Sequence, residues 1–257
     1  MAKVISLVNQ KGGVGKTTTA VNLAQYLSKL KRKVLLIDLD PQANATSGIG
    51  INKHRLPATV YDALIGRVPI RDVVMVSKSA QYSLVPSNPN LSGFALEIAQ
   101  QPSREYILKK SIDQIRDYYD YILIDSPPSL DLLTINGLVA SDFVIVPVQC
   151  EYYALEGLSR LLETLSRVKK ALKPELKLLG AILTMYDKRN RLARQVVKEV
   201  QENFPGRVFE SIIPRNVRLS EAPSYGKTIF NFASFSKGAR AYELLAEELV
   251  NLEKESK

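Results

Sequence analysis

The chain has 257 residues, 46% of them hydrophobic and 24% charged, a length and composition that suit one α/β domain over residues 1–257 with a substantial core. Its 35 Lys+Arg against 26 Asp+Glu give a formal charge of +9, which favours polyanionic partners, although any one basic cluster is also an ordinary way to solvate a face. One cysteine excludes an internal disulfide and a thiolate metal cage within one chain, the first apolar run is too short for a signal peptide, and no stretch approaches the ~20 apolar residues of a membrane span, so the cytoplasm is the expected compartment.

In chain order, an apolar strand at residues 4–8 runs into Asn9-Gln10-Lys11-Gly12-Gly13-Val14-Gly15-Lys16-Thr17-Thr18. A helix follows, with Ala20, Leu23, Ala24, Leu27 and Leu30 as its core stripe. Strand, glycine loop and helix together predict a phosphate site. Glycines let backbone N–H groups close on phosphate oxygens, and the helix adds its positive end. The Lys16 ammonium is expected on the β/γ-phosphates and the Thr17 hydroxyl on Mg²⁺. The strict P-loop pattern fails, because Gln10 stands where its first glycine belongs; a second lysine, Lys11, precedes the glycine pair instead.

Residues 34–41 read as a parallel strand covered on both faces, delivering Asp38 and Asp40 to the sheet edge where ligands gather. Residues 42–50 are expected to be a loop near the nucleotide, and 52–57 a surface turn carrying His54, the only histidine. Short helices are expected over 60–76, a strand over 82–86 and mostly helix over 88–116, with little chemistry among them. Residues 121–128 form a second apolar run ending on a carboxylate, Asp125, as a Walker B strand does to hold the magnesium shell. Further strands are expected at 143–148, 178–183 and 208–213, and helices over 151–172 and 192–204. This alternation predicts a mainly parallel, doubly wound sheet flanked by helices. Cys150 reads as a buried core thiol. The tail from Ser236 is an amphipathic helix striped by Ala241, Leu245, Leu249 and Leu252. Its polar face carries Glu243, Glu247, Glu248, Glu253 and Glu255 against Arg240, Lys254 and Lys257, so it is expected to pack on its own domain and not on a membrane.

Cations gather in two places after the sixth expected strand, that at 178–183. Lys188, Arg189, Arg191, Arg194 and Lys198 lie at the start of one helix, whose stripe of Leu192, Val196 and Val200 is expected to face inward. Arg215, Arg218 and Lys227 follow the last strand. Such a surface binds phosphates without reading bases.

The run at 11–18 resembles the deviant Walker A loop of the ParA/MinD family of P-loop ATPases. Segments 34–47, 124–129, 147–158, 185–187 and 213–228 extend the likeness over nearly the whole chain, closest to the short chromosomal ParA proteins called Soj. The resemblance implies ATP and Mg²⁺, with residues 11–18 (Lys11, Gly12, Gly13, Val14, Gly15, Lys16, Thr17, Thr18) around the phosphates, and Pro214, Arg215 and Asn216 beside the adenine. It assigns Thr17, Asp38 and Asp125 to the metal and its surroundings, and Asp40 to the attacking water. It also implies an ATP-dependent homodimer in which Lys11 reaches the partner's nucleotide, with Gly12 and Glu151 at the seam. Arg189 and Arg218 match arginines that contact non-specific double-stranded DNA in the family. A ParB-like centromere-binding protein is the implied stimulator of hydrolysis, and the nucleoid the implied location. Too few residues precede the loop for a helix-turn-helix, so operator-specific repression is not expected. The lone cysteine argues against iron–sulfur relatives that share the loop. A division-site regulator like MinD, and a cargo-positioning ATPase with a protein track, stand as alternatives.

Overall fold

The computed structural model describes residues 1–77, 80–151 and 154–255, and of residues 154–156 and 254–255 the backbone alone. The first half contains β1 (Lys3–Leu7), α1 (Lys16–Lys29), β2 (Val34–Asp38), α2 (Asn44–Gly48), α3 (Val60–Leu64), α4 (Ile70–Val73), β3 (Met75–Val76), β4 (Ser83–Val85), α5 (Phe94–Glu97), α6 (Ile107–Asp113) and β5 (Tyr121–Asp125). The second contains α7 (Leu132–Ala140), β6 (Phe143–Gln149), α8 (Ala154–Ala171), β7 (Lys177–Thr184), α9 (Arg191–Asn203), α10 (Val217–Glu221), α11 (Ile229–Ala233) and α12 (Lys237–Glu255).

The strands form one sheet in the order β3-β4-β2-β5-β1-β6-β7, parallel throughout except for the antiparallel β3 at its edge. Both faces are covered, which is why the central strands read as unbroken apolar runs. Adjacent residues of β5 feed opposite cores: Tyr121 and Leu123 pack with α1 and α12, Ile122 and Ile124 with α3 to α7. A third cluster on that second face joins β6 and β7 to α8 and α9. The register pairs Asp125 with both Leu7 and Asp38, so the ends of three central strands meet at one point.

Several local expectations are revised. Leu30 is 38% exposed and not part of the core stripe, because α1 stops at Lys29 and Lys31, at φ 63°, turns the chain outward. Residues 42–50 are not simply a loop: they include α2, which lacks an apolar period and is held by tertiary bonds described below. The stripe of α9 is Ala193, Val196 and Val200; Leu192, in its first turn, is 38% exposed. Residues 208–213 do not form a strand. Single bridges from Val208 to Ala181 and from Pro214 to Tyr186 tie the segment to β7 and its extension. Between them Glu210 and Ser211 donate their N–H groups to Glu248 on α12, at 2.9 and 3.1 Å, instead of to the sheet. Helix α7 was not anticipated, although Asp131 caps it by accepting the Leu133 and Thr134 N–H groups.

The tail helix α12 lies along α1, burying Ala241, Leu245 and Leu249. Tyr242 and Thr19 share a hydrogen bond of 3.1 Å between the two helices. Glu253 gathers Lys3, Arg32 and the Tyr121 hydroxyl at its far end. Of the charges expected on its polar face, the Lys254 and Glu255 side chains and Lys257 lie outside the described residues, as do residues 152–153 of the helix expected over 151–172. No helix among the described residues is long and apolar enough to cross a membrane. His54 is exposed in its turn, and burial pushes the Cys150 thiol up to about 12, as befits a core residue.

Candidate active site

The loop from Asn9 to Gly15 leaves the C-terminal end of β1, which lies between β5 and β6, and enters α1. Its turn depends on Gly13 and Gly15, at φ 74° and 90°, backbone conformations that side chains disfavour. Two residues outside the glycine motif hold it. Asn9 donates to the Pro147 carbonyl on β6 (2.7 Å) and accepts the Lys11 N–H (3.0 Å). Thr184, ending β7, donates its hydroxyl to the Val14 carbonyl at 2.8 Å. Neither carries a recognisable motif of its own. Asn9 stood next to the motif, whereas Thr184 is distant in the chain and only strand pairing brings it close.

Gly15 contributes no side-chain cap, so the first N–H groups of α1 are free to meet an anion in the cleft. That cleft, of about 720 Å³, is lined by Gly12, Gly13, Gly15, Lys16, Thr17 and Thr18 on one side and by Asp40, Gln42 and Asn44 on the other. Met185 and Pro128 border it too. Lys16 is 6% exposed, and its ammonium donates to the Lys11 carbonyl at 3.3 Å. Burial lowers its pKa, against the pull of the Asp125 and Asp40 charges. An adjoining cavity of about 230 Å³ is lined by Thr18, Met185, Pro214, Arg215 and Asn216. The last three therefore lie beside the loop.

Three carboxylates stand at the strand ends in different environments. Asp38 and Asp125 are both fully buried at 0% exposure. Asp38 has its oxygens engaged: Oδ2 accepts the Thr46 N–H (2.8 Å) and hydroxyl (2.6 Å), and Oδ1 accepts the Asp40 N–H (3.2 Å). Burial pushes its carboxyl up to about 6, opposed by those bonds. Neither oxygen of Asp125 has a well-formed hydrogen bond among the described residues; burial together with the Asp38 charge raises its pKa, outweighing the nearby Thr17 hydroxyl and Lys16 charge that favour its ionised form. An orphaned buried carboxylate is costly. A hydrated divalent cation held by Thr17 with Asp125 in its surroundings would remove that cost, so the residues present fit magnesium. Asp40 is 6% exposed and faces the cleft, its carboxylate accepting the Gln42 N–H at 2.9 Å.

Lys11 is not among the residues lining its own cleft. Its ammonium lies 3.7 Å from Glu151, both side chains being substantially exposed.

The cations sit on the same edge of the sheet. Met185 to Asn190 lead from β7 into α9, with Lys188, Arg189, Arg191 and Arg194 exposed. Arg189 forks onto Asp187 through two bonds of 3.0 and 2.8 Å, holding that carboxyl down at about 2. Arg218 pairs with Glu221 at 2.8 Å. These arginine side chains are 84% and 60% exposed, and water screens surface pairs of this kind, so a phosphate can displace either carboxylate.

A family model described as an AAA domain matches residues 2–178. The chain is 48% identical over 250 residues to the chromosome partitioning protein ParA of Myxococcus xanthus (strain DK1622), covering 97% of this chain and 88% of that one. It is 49% identical over 249 residues to the sporulation initiation inhibitor protein Soj of Bacillus subtilis (strain 168), covering 97% and 98%. Among solved structures, cobyrinic acid a,c-diamide synthase from Mycobacterium smegmatis with bound ATP analogue and magnesium matches with a TM-score of 0.89 at 36% identity, covering 100% of this chain and 98% of that one. With the glycine loop, the paired strand-end carboxylates and the parallel sheet already in place, these likenesses decide the matter: the chain belongs to the ParA/MinD family of P-loop ATPases.

Proposed function

We propose that this protein is a DNA-partitioning ATPase, switched by ATP between a monomer and a sandwich dimer that holds non-specific double-stranded DNA. The observation that carries the reading is the position of Lys11, turned out of its own cleft to an exposed pair with Glu151. A lysine beside a phosphate loop that does not serve its own site is available to a second copy's site. The family likeness implies the same use of it.

Each group then has a task. Lys16 and the N–H groups of α1 bind phosphate oxygens. Thr17 and Asp125 would hold the hydrated metal, which would supply charge neutralisation at the phosphates. Asp40 orients the attacking water, and the partner copy's lysine stabilises charge as the terminal phosphoryl leaves. Hydrolysis is slow in one copy alone, since its site lacks that lysine. Dimerisation doubles the basic surface of Lys188, Arg189, Arg191, Arg194 and Arg218, so DNA affinity follows the nucleotide. A ParB-like centromere-binding protein stimulates hydrolysis and releases the DNA, which gives a cytoplasmic, nucleoid-associated cycle. A membrane-surface role is less well supported, because the apolar stripe of α12 is buried against α1.

The test is binding to random-sequence DNA with ATP, with ADP and without nucleotide, over a salt series. Binding is expected with ATP alone and to fall steeply with salt, and Lys16→Ala is expected to abolish the ATP dependence. ATP-dependent DNA binding by Lys16→Ala contradicts the reading.

A further inference from the structure

We propose that Thr46 and Ser87 are positioning residues for hydrolysis, fixing the Asp40 carboxylate at the cleft through a closed ring of buried hydrogen bonds. Asp40 is held at both its N–H and its carbonyl. Its N–H donates to Asp38 Oδ1 at 3.2 Å, and its carbonyl accepts the Ser87 hydroxyl at 2.8 Å. The ring closes through Thr46. The Ser87 N–H donates to Thr46 Oγ1 at 2.9 Å, and Thr46 Oγ1 donates to Asp38 Oδ2 at 2.6 Å.

The direction of each bond is fixed by elementary chemistry. A carbonyl cannot donate, so the Ser87 proton points at Asp40. An N–H cannot accept, so the Thr46 hydroxyl receives from Ser87 and gives its own proton to Asp38. Thr46 and Ser87 are both 0% exposed, so neither reaches the cleft itself. Strand pairing delivers the parts: β4 lies parallel to β2, with Val85 opposite Ile37, which sets Ser87 beside the chain leaving Asp38. The chain turns sharply after Asp40, where the Ala43 N–H also donates to the Asp40 carbonyl at 2.8 Å and the Gln42 N–H to its carboxylate at 2.9 Å. Ala43 is in a left-handed conformation, at φ 53°, and α2 is only five residues long.

An attacking water must sit in line with the terminal phosphorus, and a misplacement of ~1 Å in the group that orients it can cost ~100-fold in rate. Four buried bonds, two of them on the Asp40 backbone itself, are a rigid mount for the residue that carries this carboxylate. Asp38 on this view acts through its hold on Asp40 and Thr46.

This inference rests on the reading that Asp40 serves hydrolysis, and the experiment separates the two. Steady-state ATP hydrolysis by the full chain with Mg²⁺ is compared for Thr46→Val, Thr46→Ser, Ser87→Ala and Asp40→Ala, with ATP affinity from a fluorescent analogue. Thr46→Val and Ser87→Ala are expected to lower kcat by about 10-fold or more, with KM and nucleotide affinity within about twofold. Thr46→Ser, which keeps a hydroxyl, is expected to restore most of the rate. A role in folding alone lowers the melting temperature without splitting kcat from KM. Normal kcat in both Thr46→Val and Ser87→Ala alongside an inactive Asp40→Ala overturns the inference while sparing the hydrolysis reading, as does equal impairment of Thr46→Ser and Thr46→Val. Full turnover by Asp40→Ala overturns both.

Discussion

Lys11→Ala is expected to lower ATP turnover by about 10³-fold while leaving each monomer's affinity for ATP within about twofold. Phosphoryl transfer asks a protein chiefly for position and positive charge, and a cation supplied by a second molecule to a developing phosphate charge is worth ~10³ to 10⁵ in rate. Lys16 is buried beside the loop and belongs to binding, whereas the Lys11 side chain is 37% exposed and directed to Glu151. The Glu151 pair is a weak tether in water, so exchanging it for a phosphate is easy. Mixing distinguishes supply from a neighbour from supply within one chain. In a heterodimer of Lys11→Ala with Asp40→Ala, one of the two sites has an intact Asp40 and receives the other copy's Lys11. An equal mixture is therefore expected to regain about a quarter of the wild-type rate, since random pairing makes half the dimers mixed. No regain on mixing contradicts donation between copies.

The second large effect concerns DNA. Arg189→Glu combined with Arg218→Glu is expected to abolish the shift of random-sequence DNA while leaving ATP-dependent dimerisation intact. Each arginine is counted twice in a dimer, so neutral Ala substitutions at both positions remove up to four phosphate contacts. The slope of log affinity against log salt is then expected to flatten by about 3 to 4. Both side chains are occupied by surface carboxylates, Asp187 and Glu221, yet stay mostly exposed. Unchanged binding by the doubly reversed variant removes these arginines from the interface and leaves the DNA reading without its surface.

What could be read from the chain alone was whatever depends on near neighbours. The glycine loop, the lysines within it and the carboxylates ending two apolar runs are local patterns, and the continuous strands announced a sheet covered on both faces. The departures share one cause, which is that distant partners decide them. Helix α2 exists because Asp38 takes the Thr46 N–H and hydroxyl, and nothing in Asn44-Ala45-Thr46-Ser47-Gly48 signals that from within. Residues 208–213 have the composition of a strand, but Glu248 claims two of their N–H groups. Leu192 and Leu30 were placed by period alone, and each sits where a helix end carries its face past the core. Asn9, Thr184 and Ser87 carry no motif and become visible only once pairing sets β6, β7 and β4 beside the loop and the Asp40 segment.

The most direct test of the whole account is the mass of the protein in solution with a non-hydrolysable ATP analogue and magnesium, measured by light scattering or sedimentation. Twice the 28.6 kDa of one chain is expected with the analogue and a single chain's mass with ADP. A mass that stays at one chain when the analogue saturates the site contradicts it.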